Sequence, residues 1–211
     1  MMGIRAIFLD RDGVICENRP DHVKSWSEFR FLPGAKNGLA ALGRLGMPII
    51  VVTNQAVIDR EMVPASVVDD IHRRMVAEVA ACGGRIDRVV YCPHRPEDRC
   101  TCRKPEPGML LQVADEMDID LSQSYLIGDA ATDLIAGQLA GCRTFLVLTG
   151  RGLQQLLPAF RSVDRFTITL NLMGAATYIF QAELGTSYEV DMWSPVDMGH
   201  YRQSLLVARS A

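Results

Sequence analysis

Asp10 and Asp12 are two carboxylates one residue apart, directly after the apolar run Ala6 to Leu9 and just before Gly13. A continuous apolar run of that length reads as a strand buried on both faces, so Asp10 falls at its carboxyl end. Asp12 falls in the turn that Gly13 closes, and two such acids invite a cation. In open parallel α/β sheets the carboxyl edge is where ligands bind. Alone, Asp-x-Asp-Gly could be no more than a strand end and a turn, because loops favour both residue types. Its weight comes from what shares the edge.

Thr53 and Asn54 follow a second apolar run, Pro48 to Val52, and Asp129 follows a later one, Tyr125 to Ile127. If these strands are parallel, Asp10, Thr53, Asn54 and Asp129 line one edge. Asp133, four residues beyond Asp129, can support the same cluster from the first turn of a helix. Three crowded acids repel one another unless a hard divalent cation with oxygen ligands joins them, which points to Mg²⁺. Arg103 and Lys104 supply positive charge, and Thr53 and Asn54 supply neutral donors for phosphoryl oxygens. These are the parts that phosphoryl transfer through an aspartyl phosphate requires.

Cys92-Pro-His94, five residues, then Cys100-Thr-Cys102 place three thiols and an imidazole within eleven positions. Two such pairs can wrap a tetrahedral Zn²⁺, and four protein ligands leave no open position, so the zinc is expected to be structural. It would stiffen the loop that presents Arg103 and Lys104. Cys16, Cys82 and Cys142 stand singly in or beside apolar segments and read as buried thiols. His22, His72 and His200 stand alone and read as structural or solvated.

The elements that must position these residues alternate regularly. Apolar runs at 6–9, 48–52, 88–91, 125–127, 144–148 and 166–170 read as strands. Pro33-Gly34 opens a helix that Gly46 ends. Ser66, with Asp69 three residues on, is expected to cap a second, with Val67, Ile71, Met75 and Val79 along one face. Further helices are expected from Pro107, from about Thr132 to Gly141, and over 172–184. Right-handed crossovers between parallel strands then give a three-layer, Rossmann-like α/β fold. No interval holds a separate cap domain, so loops 17–31, 55–62 and the zinc loop are expected to recognise substrate. The domain is expected over 1–184. The remainder, 185–211, is an extension in which Ser194-Pro195 could start one more helix, read as a strap packed on the domain.

With 211 residues, 48% of them apolar, the chain can bury one sizeable core. Its 22 basic and 25 acidic residues leave a net charge of −3, which offers no footprint for duplex nucleic acid or an anionic membrane. No apolar stretch reaches the roughly 18 to 20 residues of a membrane span, and no basic segment followed by an apolar core opens the sequence. The expectation is a soluble, cytoplasmic monomer acting on a small anionic metabolite.

The stretches IFLDRDGVI, VVTNQ, CPH with CTCRKP, and YLIGDAATD resemble the haloacid dehalogenase-like phosphatase superfamily. Within it they resemble the zinc-containing branch of heptose bisphosphate and histidinol phosphate phosphatases, over residues 4 to about 152. The resemblance implies Asp10 as nucleophile and Asp12 as general acid and base. Thr53 and Asn54 would bind the transferring phosphate, Lys104 would neutralise it and Arg103 would help hold substrate. Asp129 would complete the Mg²⁺ site with Asp10 and the Asp12 backbone carbonyl, and Cys92, His94, Cys100 and Cys102 match the zinc ligands. RKPEPGML is similar to the heptose enzymes, whereas the short CPH-to-CTC spacing and GDAATD are equally similar to histidinol phosphatases. TNQAVIDRE departs from TNQSGIARG, the usual reading in the heptose enzymes. The implied activity is phosphate monoester hydrolysis in carbohydrate metabolism, at the 7-phosphate of D-glycero-D-manno-heptose 1,7-bisphosphate. Histidinol phosphate or another sugar phosphate is the alternative substrate. A scaffold that keeps the fold without the chemistry is the alternative of another class, against which intact Asp10, Asp12, Lys104 and Asp129 speak.

Overall fold

A computed structural model of the chain describes residues 3–185. The elements run β1 (Ile7–Leu9), α1 (Ala35–Gly43), β2 (Ile49–Asn54), α2 (Ala65–Ala81), β3 (Arg88–Cys92), α3 (Gly108–Met117), β4 (Tyr125–Gly128), α4 (Ala131–Ala140), β5 (Arg143–Val147), α5 (Gly152–Ser162), β6 (Thr167–Thr169) and α6 (Leu172–Glu183). All six strands pair in parallel, in the order β3-β2-β1-β4-β5-β6. The chain winds outward one way from β1 and the other way from β4, so the sheet reverses direction between these two strands. A reversal of that kind opens a crevice at the carboxyl edge. Leu9 is level with Val51 and Ile127, which puts Asp10 just past the last paired residue of β1.

Alternate side chains of each strand serve opposite layers, as a two-residue repeat demands. Ile7, Leu9, Ile49, Val51 and Ile127 pack with Leu39 and Leu42 of α1, Ile71, Met75 and Val79 of α2, and Leu172 and Ala176 of α6. Phe8, Ile50, Val52 and Leu126 face the other way, onto Met109, Leu110 and Val113 of α3 and Ala136 of α4. Leu134, Leu146, Ala159 and Val163 close the same side between α4, β5 and α5. Strands buried on both faces explain the unbroken apolar runs in the sequence. The three-layer α/β expectation is met, and among the described residues no large cap domain covers the carboxyl edge.

Four details differ from the sequence reading. β2 continues through Thr53 and Asn54, because β3 keeps pairing with them at Tyr91 and Cys92. Ser66 does not cap α2: the cap position is Pro64, and the buried stripe begins at Val68 rather than Val67. Cys82 is exposed rather than buried, since it sits where α2 ends. Helix α5 has no counterpart in the sequence reading. His200 and the helix proposed at Ser194-Pro195 lie outside the described residues. No described helix is long and apolar enough to cross a membrane.

Candidate active site

Three carboxylates meet in the crevice. Asp10 follows β1 and donates its backbone N–H to Ile127 O at 2.9 Å. Asp129 follows β4, and Asp133 lies in the first turn of α4, where its Oδ2 accepts from Ala130 N at 3.1 Å. One oxygen from each of these buried acids lies within 4.8 Å of the others. Such closeness needs glycine at two turns. A Cβ on Gly13, whose φ is +87°, would fall 2.0 Å from Asp129 Oδ2, and one on Gly150, with φ +58°, would fall 2.3 Å from the same oxygen. Thr149 Oγ1 ties the two turns together by donating to Gly13 O at 2.6 Å.

One ammonium serves this cluster. Lys104 is buried, and its Nζ lies 2.7 Å from Val52 O, 2.9 Å from Asp10 Oδ1 and 2.6 Å from Asp133 Oδ1, which uses all three of its protons. Burial raises the Asp10 carboxyl; Lys104 opposes this, Asp133, Asp129 and Asp12 reinforce it, and the result is about 7. Asp129 is also raised, by burial and by Asp133, against Arg151, whose backbone N–H donates to it at 2.8 Å. The three clustered acids, Asp10, Asp129 and Asp133, thus outnumber the two cations paired with them, Lys104 and Arg151. A divalent cation among these oxygens would restore both acids to their ionised form, so the donor set fits a hard metal.

Asp12 faces the cavity with its side chain 22% exposed. Arg11 NH2 donates to both of its oxygens, at 3.1 and 2.9 Å, and Gln55 Nε2 donates to Oδ2 at 3.0 Å. Burial alone would raise this carboxyl, but Arg11, Gln55 and Cys16 together hold it below its ordinary range. Gln55 Nε2 also donates to Thr53 Oγ1 at 3.0 Å, which leaves the Thr53 hydroxyl proton free to point into the cavity. Asn54 has a different task from its neighbour. Its Nδ2 donates to Lys104 O at 3.0 Å and its Oδ1 accepts from Lys104 N at 3.1 Å, so its amide clamps the lysine segment to β2.

The cysteine loop lies beside that segment. Cys92, Cys100 and Cys102 place their sulfurs 3.3 to 3.6 Å apart, and His94 Nδ1 lies 3.5 Å from Cys92 and 3.3 Å from Cys102. Metal–ligand bonds of about 2.0 to 2.3 Å at tetrahedral angles set separations of roughly 3.5 to 3.8 Å, so the four ligands fit one ion. Burial raises Cys100, yet hydrogen bonds from Cys102, the Arg103 backbone and Cys92 bring it down to about 7. Arg103, next in sequence, donates from NH1 to His94 O at 2.9 Å and is thereby tied to the loop.

Above these groups opens a cavity of about 720 Å³. Asp10, Asp12, Thr53, Asn54, Lys104 and Asp133 line its floor, while Arg19, His22, Arg99, Arg103 and Arg151 line its walls. The structure brings together every residue the sequence nominated for phosphate chemistry. It adds Arg11, Gln55 and Arg151, which carried no signal of spacing. Only the presence of Gln55 directly after Thr53-Asn54 at a strand end could have drawn notice.

Residues 101–168 match the HAD-hydrolase-like family model. The D-glycero-β-D-manno-heptose-1,7-bisphosphate 7-phosphatase of Pseudomonas aeruginosa is 39% identical over 155 residues, 74% of this chain and 87% of that protein. The chain belongs to the haloacid dehalogenase-like phosphatases. The enzyme of the same name from Neisseria meningitidis is 35% identical over 84% of this chain and 96% of its own length. A crystal structure of D,D-heptose 1,7-bisphosphate phosphatase from B. bronchiseptica, complexed with magnesium and phosphate, superposes with a TM-score of 0.81. It shares 34% identity and covers 85% of this chain and 99% of its own. The family assignment makes the chain a phosphatase.

Proposed function

We propose that the chain is a Mg²⁺-dependent phosphatase that removes the 7-phosphate of D-glycero-β-D-manno-heptose 1,7-bisphosphate. The observation that carries the reading is the union of a phosphoryl-transfer floor with an arginine-lined cavity larger than one phosphate needs. Arg19, Arg99 and Arg103 on the walls suit a second phosphate at the far end of a short sugar. Histidinol phosphate would bring an ammonium toward the same arginines, which disfavours it. Relatives named for the heptose substrate support the choice.

Asp10 attacks phosphorus in line, the bond to the sugar oxygen breaks, and Asp12, ionised in the free site and protonated as the anionic phosphate enters beside it, gives its proton to that oxygen. Water then attacks the aspartyl phosphate while Asp12, now ionised, takes the water proton; Asp10 and inorganic phosphate are released. Lys104 and the Thr53 hydroxyl hold the equatorial oxygens, Asn54 fixes the backbone that carries Lys104, and Arg103 steadies the substrate. Mg²⁺ held by Asp10, Asp129 and the Asp12 carbonyl would supply the charge that lets an anionic nucleophile meet an anionic phosphate. Zn²⁺ on Cys92, His94, Cys100 and Cys102 would brace the loop. The same reading places the enzyme in the cytoplasm as a monomer, with residues 1–184 as the catalytic domain and 185–211 as an extension.

The test is phosphate release with Mg²⁺ from both heptose bisphosphate anomers, histidinol phosphate, fructose 1,6-bisphosphate and a 3′-phosphorylated oligonucleotide. The β-anomer is expected to lead by about a hundredfold in kcat/KM, roughly 2.7 kcal/mol. Equal, feeble rates on all five would overturn the substrate assignment.

A further inference from the structure

Arg11 is the largest fully buried side chain in the described residues, and it stands between Asp10 and Asp12. A buried guanidinium is costly unless its donors are satisfied. NH2 serves Asp12 and, at 2.9 Å, Gln55 Oε1, NH1 lies 2.9 Å from Nε2 of His72, and the buried Nε alone has no hydrogen-bond partner among the described residues. Arginine only donates, so Nε2 of His72 must accept, and the ring is the neutral tautomer protonated on Nδ1. Burial and then the Arg11 charge push His72 down to about 3, in keeping with a ring that stays neutral. His72 is itself buried on α2, its ring 5.4 Å from that of Tyr91. A helix on one face of the sheet thereby reaches the cavity on its edge through a single arginine.

We infer that His72 is a positioning residue that, through Arg11, seats the ionised Asp12 carboxylate for the water-activating half of the reaction. This rests on the reading of Asp12 as acid and base. In that half-reaction the water oxygen bonds to phosphorus, the water proton passes to Asp12, and the P–O bond to Asp10 breaks with its electrons returning to Asp10. Without an acceptor at position 72, NH1 loses its buried partner, the guanidinium turns away and Asp12 is left without its bidentate seat. Hydrolysis of the aspartyl phosphate is then the step that suffers most.

The experiment compares His72→Leu, which removes the acceptor, with His72→Gln, whose amide oxygen restores one. Turnover and the acid-stable fraction of enzyme phosphorylated on Asp10 are read with substrate and Mg²⁺. In His72→Leu, kcat is expected to fall about tenfold or more while kcat/KM falls less than threefold and the phosphoenzyme accumulates. His72→Gln recovers most of the loss. Arg11→Lys, which keeps the charge but cannot span both partners, gives the same pattern if His72→Leu does not fold. Unchanged kcat in folded His72→Leu, or equal falls in kcat and kcat/KM without phosphoenzyme, would overturn the inference. Full activity of Asp12→Asn, run in parallel, would instead overturn the reading it rests on.

Discussion

Burial, and then the nearby Asp133, Asp129 and Asp12 against the one lysine that Asp10 shares with Asp133, push the Asp10 carboxyl up to about 7. As the proposed nucleophile Asp10 must be ionised, so that reading calls for a cation beside it. Replacing Asp10 by Asn removes the attacking oxygen's charge but neither its shape nor its packing. Turnover is expected to drop to about one-thousandth or below with an unchanged circular dichroism spectrum, and substantial residual phosphate release would reject it as nucleophile. Gly13 tests the cluster from its back. Alanine there would meet Asp129 Oδ2 at 2.0 Å and adopt a φ near +87°, so something must move. The left-handed conformation alone costs on the order of 1–3 kcal/mol. Gly13→Ala is expected to unfold at lower denaturant and to bind Mg²⁺ more weakly by calorimetry, since the displaced side chain belongs to the acidic cluster.

Two elements converge to hold Lys104 in place: β2, through the double hydrogen bond of Asn54, and the cysteine loop, which ends one residue before Arg103. Asn54→Leu leaves the Lys104 N–H and C=O without these partners. It is expected to cost about 1–3 kcal/mol in denaturant unfolding and to lower kcat, because the ammonium loses its fixed approach to Asp10. Stripping the loop metal with a chelator is expected to lower melting temperature and kcat together, with Zn²⁺ and not Mg²⁺ restoring both; recovery with Mg²⁺ alone would reject the loop as a structural zinc site. These devices were unequally legible in the sequence. Strands buried on both faces write unbroken apolar runs, so Asp10, Thr53, Asn54 and Asp129 could be placed from runs alone, and paired ligand residues at short spacing pointed to the Cys/His cluster. Helix α5 does carry Leu153, Leu156, Leu157 and Phe160 at helical spacing; it stayed unread because Pro158 inside it and Gly150 and Gly152 at its start signal a loop. Arg11, Gln55 and His72 were equally hidden, since a hydrogen-bond chain across 61 positions leaves no periodicity.

At the scale of the molecule, the reversal of winding between β1 and β4 opens the crevice, and among the described residues loops rather than a cap domain border its mouth. Selectivity is then expected to come from charge and reach. The chain as a whole is acidic, with a net charge of −3, so the arginines around the cavity form a local positive field against a negative background. That field suits a substrate with two anionic ends, one phosphate against Lys104 and the other near the walls. Arg19 and Arg99 line the same cavity, and the proposed transfer gives them no part. Replacing both by Ala is expected to raise KM for the bisphosphate about tenfold or more, roughly 1.4 kcal/mol, with kcat nearly unchanged. The same pair of substitutions is expected to alter KM for the 7-monophosphate less than twofold, because that substrate has no second charge to lose. Steady-state kinetics on the two substrates decide between the alternatives. Equal losses on both would mean that the arginines shape the mouth without reading the second phosphate, and specificity would have to be sought in the 55–62 loop.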